Sequence, residues 1–122
     1  MKALFKRKNF ISHSGKRLFY KIECDALTME DWETLASIIK SKYNFGKVIG
    51  IPTGGLNLAN CLQQYVIPHH PDTLIVDDVM TTGKSFEPYL QQPNTFGIVV
   101  FDRSGLKIDK VIPMFRLHWT MI

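Results

Sequence analysis

The chain has 122 residues, 45 % of them apolar and 21 % charged, with a formal net charge of +4 at neutral pH. That length suits one domain over residues 1–122 with a real core, and leaves no room for a second. No apolar run approaches the roughly 20 residues of a membrane span, and Cys24 and Cys61 are too few for a disulfide framework or a zinc site.

The basic excess falls early, in Lys2, Lys6, Arg7, Lys8, Lys16, Arg17 and Lys21. Its plain reading is a solvated surface, and its sharper one is attraction of phosphate. Zinc-finger spacing, a basic helix and an aromatic strand motif are all lacking, so nucleic acid is not an expected partner, nor is a membrane. Residues 1–8 carry charge with no apolar stretch behind them and do not read as a secretory signal. A reduced cytoplasm is the expected location.

After this basic, aromatic lead-in, Thr28-Met29-Glu30-Asp31 has the form of a capping box. Trp32, Leu35, Ala36, Ile38 and Ile39 follow at helical spacing and predict an amphipathic helix over 29–42, ended by Asn44 and Gly46. Residues 47–51 read as a short buried strand leading into Pro52-Thr53-Gly54-Gly55, and Leu56, Leu58, Ala59 and Leu62 as a helix straight afterwards. Tyr65-Val66-Ile67 reads as a short strand closed by Pro68 and Pro71. Leu74-Ile75-Val76 predicts a strand ending at Asp77-Asp78, with a short helix from Ser85 to Leu90. Residues 97–101 predict another strand, ending at Asp102-Arg103-Ser104-Gly105. Val111-Ile112 and 115–119 read as edge strands. Apolar strands alternating with helices imply an α/β fold, an open, mostly parallel sheet flanked by helices. Such sheets bind ligands beyond the carboxyl ends of their strands, where these polar loops gather.

The most informative stretch runs from Thr73 through Asp77-Asp78-Val79-Met80-Thr81-Thr82-Gly83-Lys84-Ser85. An apolar strand delivers two adjacent carboxylates, then a loop of small donors. Gly83 permits a tight turn, the amides of 81–85 can form a nest for a phosphate, and Thr81, Thr82 and Ser85 add hydroxyls. A helix N-terminus behind them would add a favourable dipole. The acids would repel a phosphate, so they suit the 2′- and 3′-hydroxyls of a ribose whose 5′-phosphate sits in the nest. A P-loop ending in Gly83-Lys84-Ser85 is excluded by spacing, because its first glycine would fall where Asp78 stands. The plain alternative is a strand and turn capped by Asp77 and Asp78.

This stretch resembles the signature for 5-phosphoribosyl-1-pyrophosphate (PRPP) in type I phosphoribosyltransferases. Residues 50–55 resemble the family's pyrophosphate loop, with Thr53, Gly54 and Gly55 as the contacts. Residues 10–20 are similar to the N-terminal hood of orotate phosphoribosyltransferases, and 100–105 to their Asp-Arg segment. The resemblance implies a small N-terminal hood, a Mg²⁺ ion held mainly by PRPP rather than by protein ligands, and a homodimer. It implies PRPP contacts at Thr53, Gly54, Gly55, Asp77, Asp78, Thr81, Thr82, Gly83, Lys84 and Ser85, with Asp77 and Asp78 catalytic. Arg103 and Lys16 are the candidates for the base. A planar guanidinium suits the carboxylate of an orotate-like base, against a plain surface salt bridge to Asp102 or a neighbour. For Lys16 and His13 a solvated lysine and a capping histidine are the simpler readings. One departure is large. Between Gly55 and Thr73 stand only 17 residues, where orotate phosphoribosyltransferases place further strands and a mobile loop whose Lys and Arg close over PRPP. Gln63, Gln64, His69 and His70 carry no fixed positive charge at neutral pH. The leading expectation is a Mg²⁺-dependent transferase joining a nucleobase to PRPP. The alternatives are a non-catalytic PRPP- or nucleotide-binding protein and a transferase completed by a partner chain.

Overall fold

A computed structural model describes residues 2–11 and 17–117. The chain starts with an antiparallel hairpin of β1 (Phe5–Ile11) and β2 (Arg17–Ile22), which forms a two-stranded sheet of its own. A 3₁₀ turn at Cys24–Ala26 leads to helix α1 (Met29–Lys42). Four strands follow, β3 (Lys47–Gly50), β4 (Thr73–Met80), β5 (Thr95–Asp102) and β6 (Val111–Arg116). They pair in sequence order, all parallel. Helix α2 (Leu56–Leu62) connects β3 to β4, and the one-turn helix α3 (Glu87–Leu90) connects β4 to β5.

Helix α1 begins where its sequence says it should. The Thr28 Oγ1 accepts from the Asp31 amide at 3.1 Å, and the Asp31 carboxylate accepts from the Thr28 amide at 2.8 Å. Two donors that the first turn leaves over are thereby satisfied. Trp32, Leu35, Ala36 and Ile39 are buried at the expected spacing. Ile38 departs from that set: it is 42 % exposed, one position off the buried stripe.

Successive strand residues face opposite sides of a sheet, and the core divides accordingly. Val48, Leu74, Val76, Ile98 and Val100 pack with residues of α1 and α2 on one face. Ile75 and Val99 pack with Phe86, Tyr89, Leu90 and Ile108 on the other, under α3 and the loop before β6.

Three predicted elements differ. Residues 65–67 are not a strand: Gln63–Tyr65 is a 3₁₀ turn, after which the Ile67 amide bonds the Phe45 carbonyl at 2.9 Å. Pro68, one residue on, has no amide to continue a ladder. The two edge segments near the end are one strand, β6, which accepts Pro113 because it lies at the sheet edge; residues 118 and 119 lie outside the described residues. Strand β4 continues through Asp77 and Asp78 to Met80, so the acids sit within its last turn of pleat rather than after it. Among the described residues no helix is long and apolar enough to cross a membrane.

Candidate functional site

The carboxyl ends of β3, β4 and β5 carry the turns that the sequence singles out. Behind β4 the chain makes a bend over 81–83 and a turn over 84–86 before α3 starts at Glu87. Gly83 adopts φ +84°, a left-handed conformation that residues with a Cβ rarely take. Phe86, 1 % exposed, plugs the base of the turn into the core and fixes it to the sheet. The outcome is a cavity of about 140 Å³ lined by Asp77, Val79, Met80, Thr81, Thr82, Gly83, Ser85 and Phe86. Drug-sized ligands take roughly 300–1,000 Å³, so this volume suits a phosphate group and not a whole nucleotide. The helix expected from Ser85 starts two residues later and lasts one turn. Its dipole is therefore not part of the arrangement, and the donors are the hydroxyls and turn amides. Lys84 is exposed and stands outside the cavity lining.

The twin acids divide between the two faces of β4. Asp77 lines the cavity and is 7 % exposed. Its Oδ1 accepts from the Asp78 amide at 2.8 Å. Burial, and then the neighbouring Asp78 charge, push its carboxyl up to about 8. At neutral pH Asp77 keeps its proton, so the cavity wall does not repel an anion as a carboxylate would.

Asp78 points toward the β3 side. Its Oδ1 accepts from the Val79 amide at 2.7 Å. A Cβ on Gly54 would fall onto the Asp78 carboxylate, so only glycine lets the 52–55 turn approach that closely. The Gly55 amide bonds the Ile51 carbonyl at 2.8 Å, and the Leu56 amide the Thr53 carbonyl at 3.2 Å. The Pro52–Thr53 peptide bond is cis. Thr53 is exposed. The structure thus gathers Gly54, Asp77, Asp78, Thr81, Thr82, Gly83 and Ser85 at one sheet edge, with Thr53 and Gly55 in the adjoining turn.

No family model and no curated protein matches the sequence. Solved structures match in shape. The orotate phosphoribosyltransferase of Aeropyrum pernix gives a TM-score of 0.62 at 22 % identity, over 84 % of this chain and 78 % of its own. An APRTase from Giardia lamblia, complexed with 9-deazaadenine, gives 0.60 at 17 % identity, over 92 % and 94 %. The Mycobacterium tuberculosis orotate phosphoribosyltransferase in complex with PRPP gives 0.58 at 13 % identity, over 79 % and 80 %. This chain has the type I phosphoribosyltransferase fold.

In that phosphoribosyltransferase fold the β1–β2 hairpin occupies the place of the hood. Arg103 follows β5 and its amide bonds the Met80 carbonyl at 2.9 Å, beside the end of the acid-bearing strand. It is not the surface residue that a salt bridge would need, being 2 % exposed. The Asp102 carboxylate instead accepts from the Ser104 amide at 2.8 Å and the Ser104 hydroxyl at 2.6 Å. The Arg103 guanidinium carbon lies 3.8 Å from the centroid of the Tyr20 ring. Arg103 does not line the cavity. Lys16 and His13 lie outside the described residues.

Two site neighbours carried no signal in the sequence. The buried Cys24 thiol lies against Asp78, and burial followed by that charge push it upward. Ile108 backs Gly83: a Cβ there would meet its side chain at 3.3 Å. Both depend on long-range packing that no local pattern announces.

Proposed function

We propose that this chain is a Mg²⁺-dependent phosphoribosyltransferase that joins a nucleobase, orotate-like by its resemblance, to PRPP with release of pyrophosphate. The observation that carries the reading is the hydroxyl-lined cavity with Asp77 in its wall and Asp78 packed on Gly54, which makes one continuous site of two turns. The 5′-phosphate sits in the cavity on Thr81, Thr82, Ser85 and the turn amides. Asp77 and Asp78 hold the ribose hydroxyls, and Asp78 also favours positive charge developing at C1. The 53–55 turn receives the pyrophosphate through amides that glycine leaves accessible. Arg103 orients an acidic base, and most of the rate gain comes from alignment of the reactants.

In this reading a Mg²⁺ ion arrives with its substrate, since Mg²⁺ is commonly bound through substrate phosphates with few protein ligands. When bound, it supplies neutralisation of the pyrophosphate charge. A cytoplasmic homodimer completes this reading.

One observation favours the non-catalytic alternative, a PRPP- or nucleotide-binding protein. The short connection between α2 and β4 turns away along the sheet edge. The Gln63 side-chain amide reaches the Val48 carbonyl at 3.5 Å, and Ile67 bonds Phe45. That segment is committed to covering β3 and has no cation to place over a pyrophosphate. Incubation with Mg²⁺, PRPP and a panel of bases, following pyrophosphate release, separates the readings. Turnover by the purified chain supports the transferase. Saturable PRPP binding without turnover selects the binding protein, and turnover only with an added partner selects completion in trans.

A further inference from the structure

Gly97 stands inside β5, where a glycine weakens a strand because it brings no side chain to pack. Its φ is not positive, so backbone conformation does not call for glycine there. Space does. The register sets Ile49, Ile75, Gly97 and Val111 in one row across the sheet, and Ile49, Ile75 and Val111 pack in one cluster with Phe86. The gap that glycine leaves in the row is taken by the Phe86 ring. A Cβ on Gly97 would lie 2.7 Å from Phe86 Cε1 and 2.9 Å from Cδ1. Phe86 also closes the cavity behind β4, lining it together with Gly83 and Ser85. Its amide bonds the Gly83 carbonyl at 3.1 Å, and its carbonyl accepts from the Tyr89 and Leu90 amides at 3.0 and 3.1 Å. Because the ring is 1 % exposed in a close-packed core, a push on it passes to the backbone that carries it.

We propose that Gly97, which does not itself line the cavity, is a positioning residue for the 5′-phosphate: the depth of Phe86 in the gap at Gly97 sets the height of the 83–86 turn above the sheet. This inference rests on reading that cavity as the phosphate site, and it names what fixes the site's shape. A methyl group at position 97 raises the ring and the turn with it. Ser85 and the turn amides then leave their places around the phosphate oxygens, and hydrogen bonds weaken steeply once their geometry is lost.

The test is an exchange of size. Gly97→Ala, Phe86→Leu and the two together are titrated with ribose 5-phosphate by calorimetry, at a temperature where circular dichroism shows each folded. Gly97→Ala is expected to bind about tenfold more weakly, equivalent to about 1.4 kcal/mol and in the lower range of overpacking strain. Phe86→Leu shortens the plug and should also bind more weakly. The double variant should return to within about threefold of wild type, because volume-conserving swaps are tolerated best. Unaltered affinity in Gly97→Ala, or a double variant that binds no tighter than it, overturns the proposal. Amide hydrogen exchange reads the same turn without ligand. Gly97→Ala should speed exchange at Phe86, Tyr89 and Leu90 while α1 keeps its protection; acceleration throughout the chain, or none, overturns it. Should Gly97→Ala fail to fold, Phe86→Leu decides: weaker ribose 5-phosphate with α1 still protected supports the proposal, and unchanged affinity sinks it. Failure of ribose 5-phosphate to bind the wild-type protein, with exchange in the turn as expected, would instead count against the phosphate reading of the cavity.

Discussion

The turns after β4 and after β3 are both short and rich in small residues, and the first lines a cavity of about 140 Å³. The β4 turn is nailed down by Phe86 and shapes a cavity with hydroxyls on its walls. The β3 turn leaves Thr53 exposed and is fixed mainly through Gly54 against Asp78. In the proposed complex one end of the ligand meets a preformed receptacle and the other an open shelf. The difference follows from the connections behind them: the β4 turn is held by the buried Phe86 ahead of α3, while 63–72 spends itself on the edge of β3.

Removing both acids gives the sharpest break. Asp77→Asn with Asp78→Asn should weaken ribose 5-phosphate by about 100-fold in calorimetry, since a hydrogen bond to the Asp78 carboxylate contributes roughly 1.5–3 kcal/mol and one to the neutral Asp77 carboxyl roughly 0.5–1.5 kcal/mol. Unchanged affinity would mean that the enclosed end is not a sugar-phosphate site. Gly54→Ala tests the junction between the turns. Its methyl group displaces the Asp78 carboxylate, so ribose 5-phosphate should bind about 30-fold more weakly although the proposal assigns Gly54 to the pyrophosphate shelf, the scale of a lost charged hydrogen bond. If only PRPP suffers, the two turns act independently.

A pH titration addresses the enclosed turn alone. Asp77 has a folded pKa raised to about 8, so it is neutral below that pH and charged above it. Ribose 5-phosphate affinity should be level near pH 7 and fall by up to about tenfold per unit above pH 8, one proton's worth. Asp77→Asn should bind at pH 7 and lose the fall; a decline that persists would assign it to another group. The smallest effect is expected on the shelf. Thr53→Val should cost PRPP roughly fivefold, a neutral hydrogen bond, and leave ribose 5-phosphate unaffected.

Local chemistry made much of this legible. Leu74-Ile75-Val76 and 97–101 are strands because buried parallel strands need unbroken apolar runs. Thr28 and Asp31 mark the start of α1, and the hydroxyls of 81–85 mark the cavity. What escaped was tertiary. Nothing local says that Asp77 faces the cavity and Asp78 faces Gly54, since that depends on which face α2 covers. The burial of Arg103 is set by a hairpin far away in sequence, and Cys24 meets Asp78 only through the docking of the segment before α1. The short apolar run at 65–67 has strand composition, but the edge of β3 recruits it as a cover.

One consequence of the strand order concerns handedness. The steps from β3 to β4 and from β4 to β5 move the same way across the sheet, while α2 and α3 lie on opposite faces. Two crossovers that share a direction but not a side must wind with opposite hands, so one of them is left-handed. About 98 % of parallel crossovers are right-handed. Strands inserted beyond β3 would reverse the direction of the step that α2 makes and so its hand. The brevity of residues 56–72 is therefore written into the chirality of the sheet.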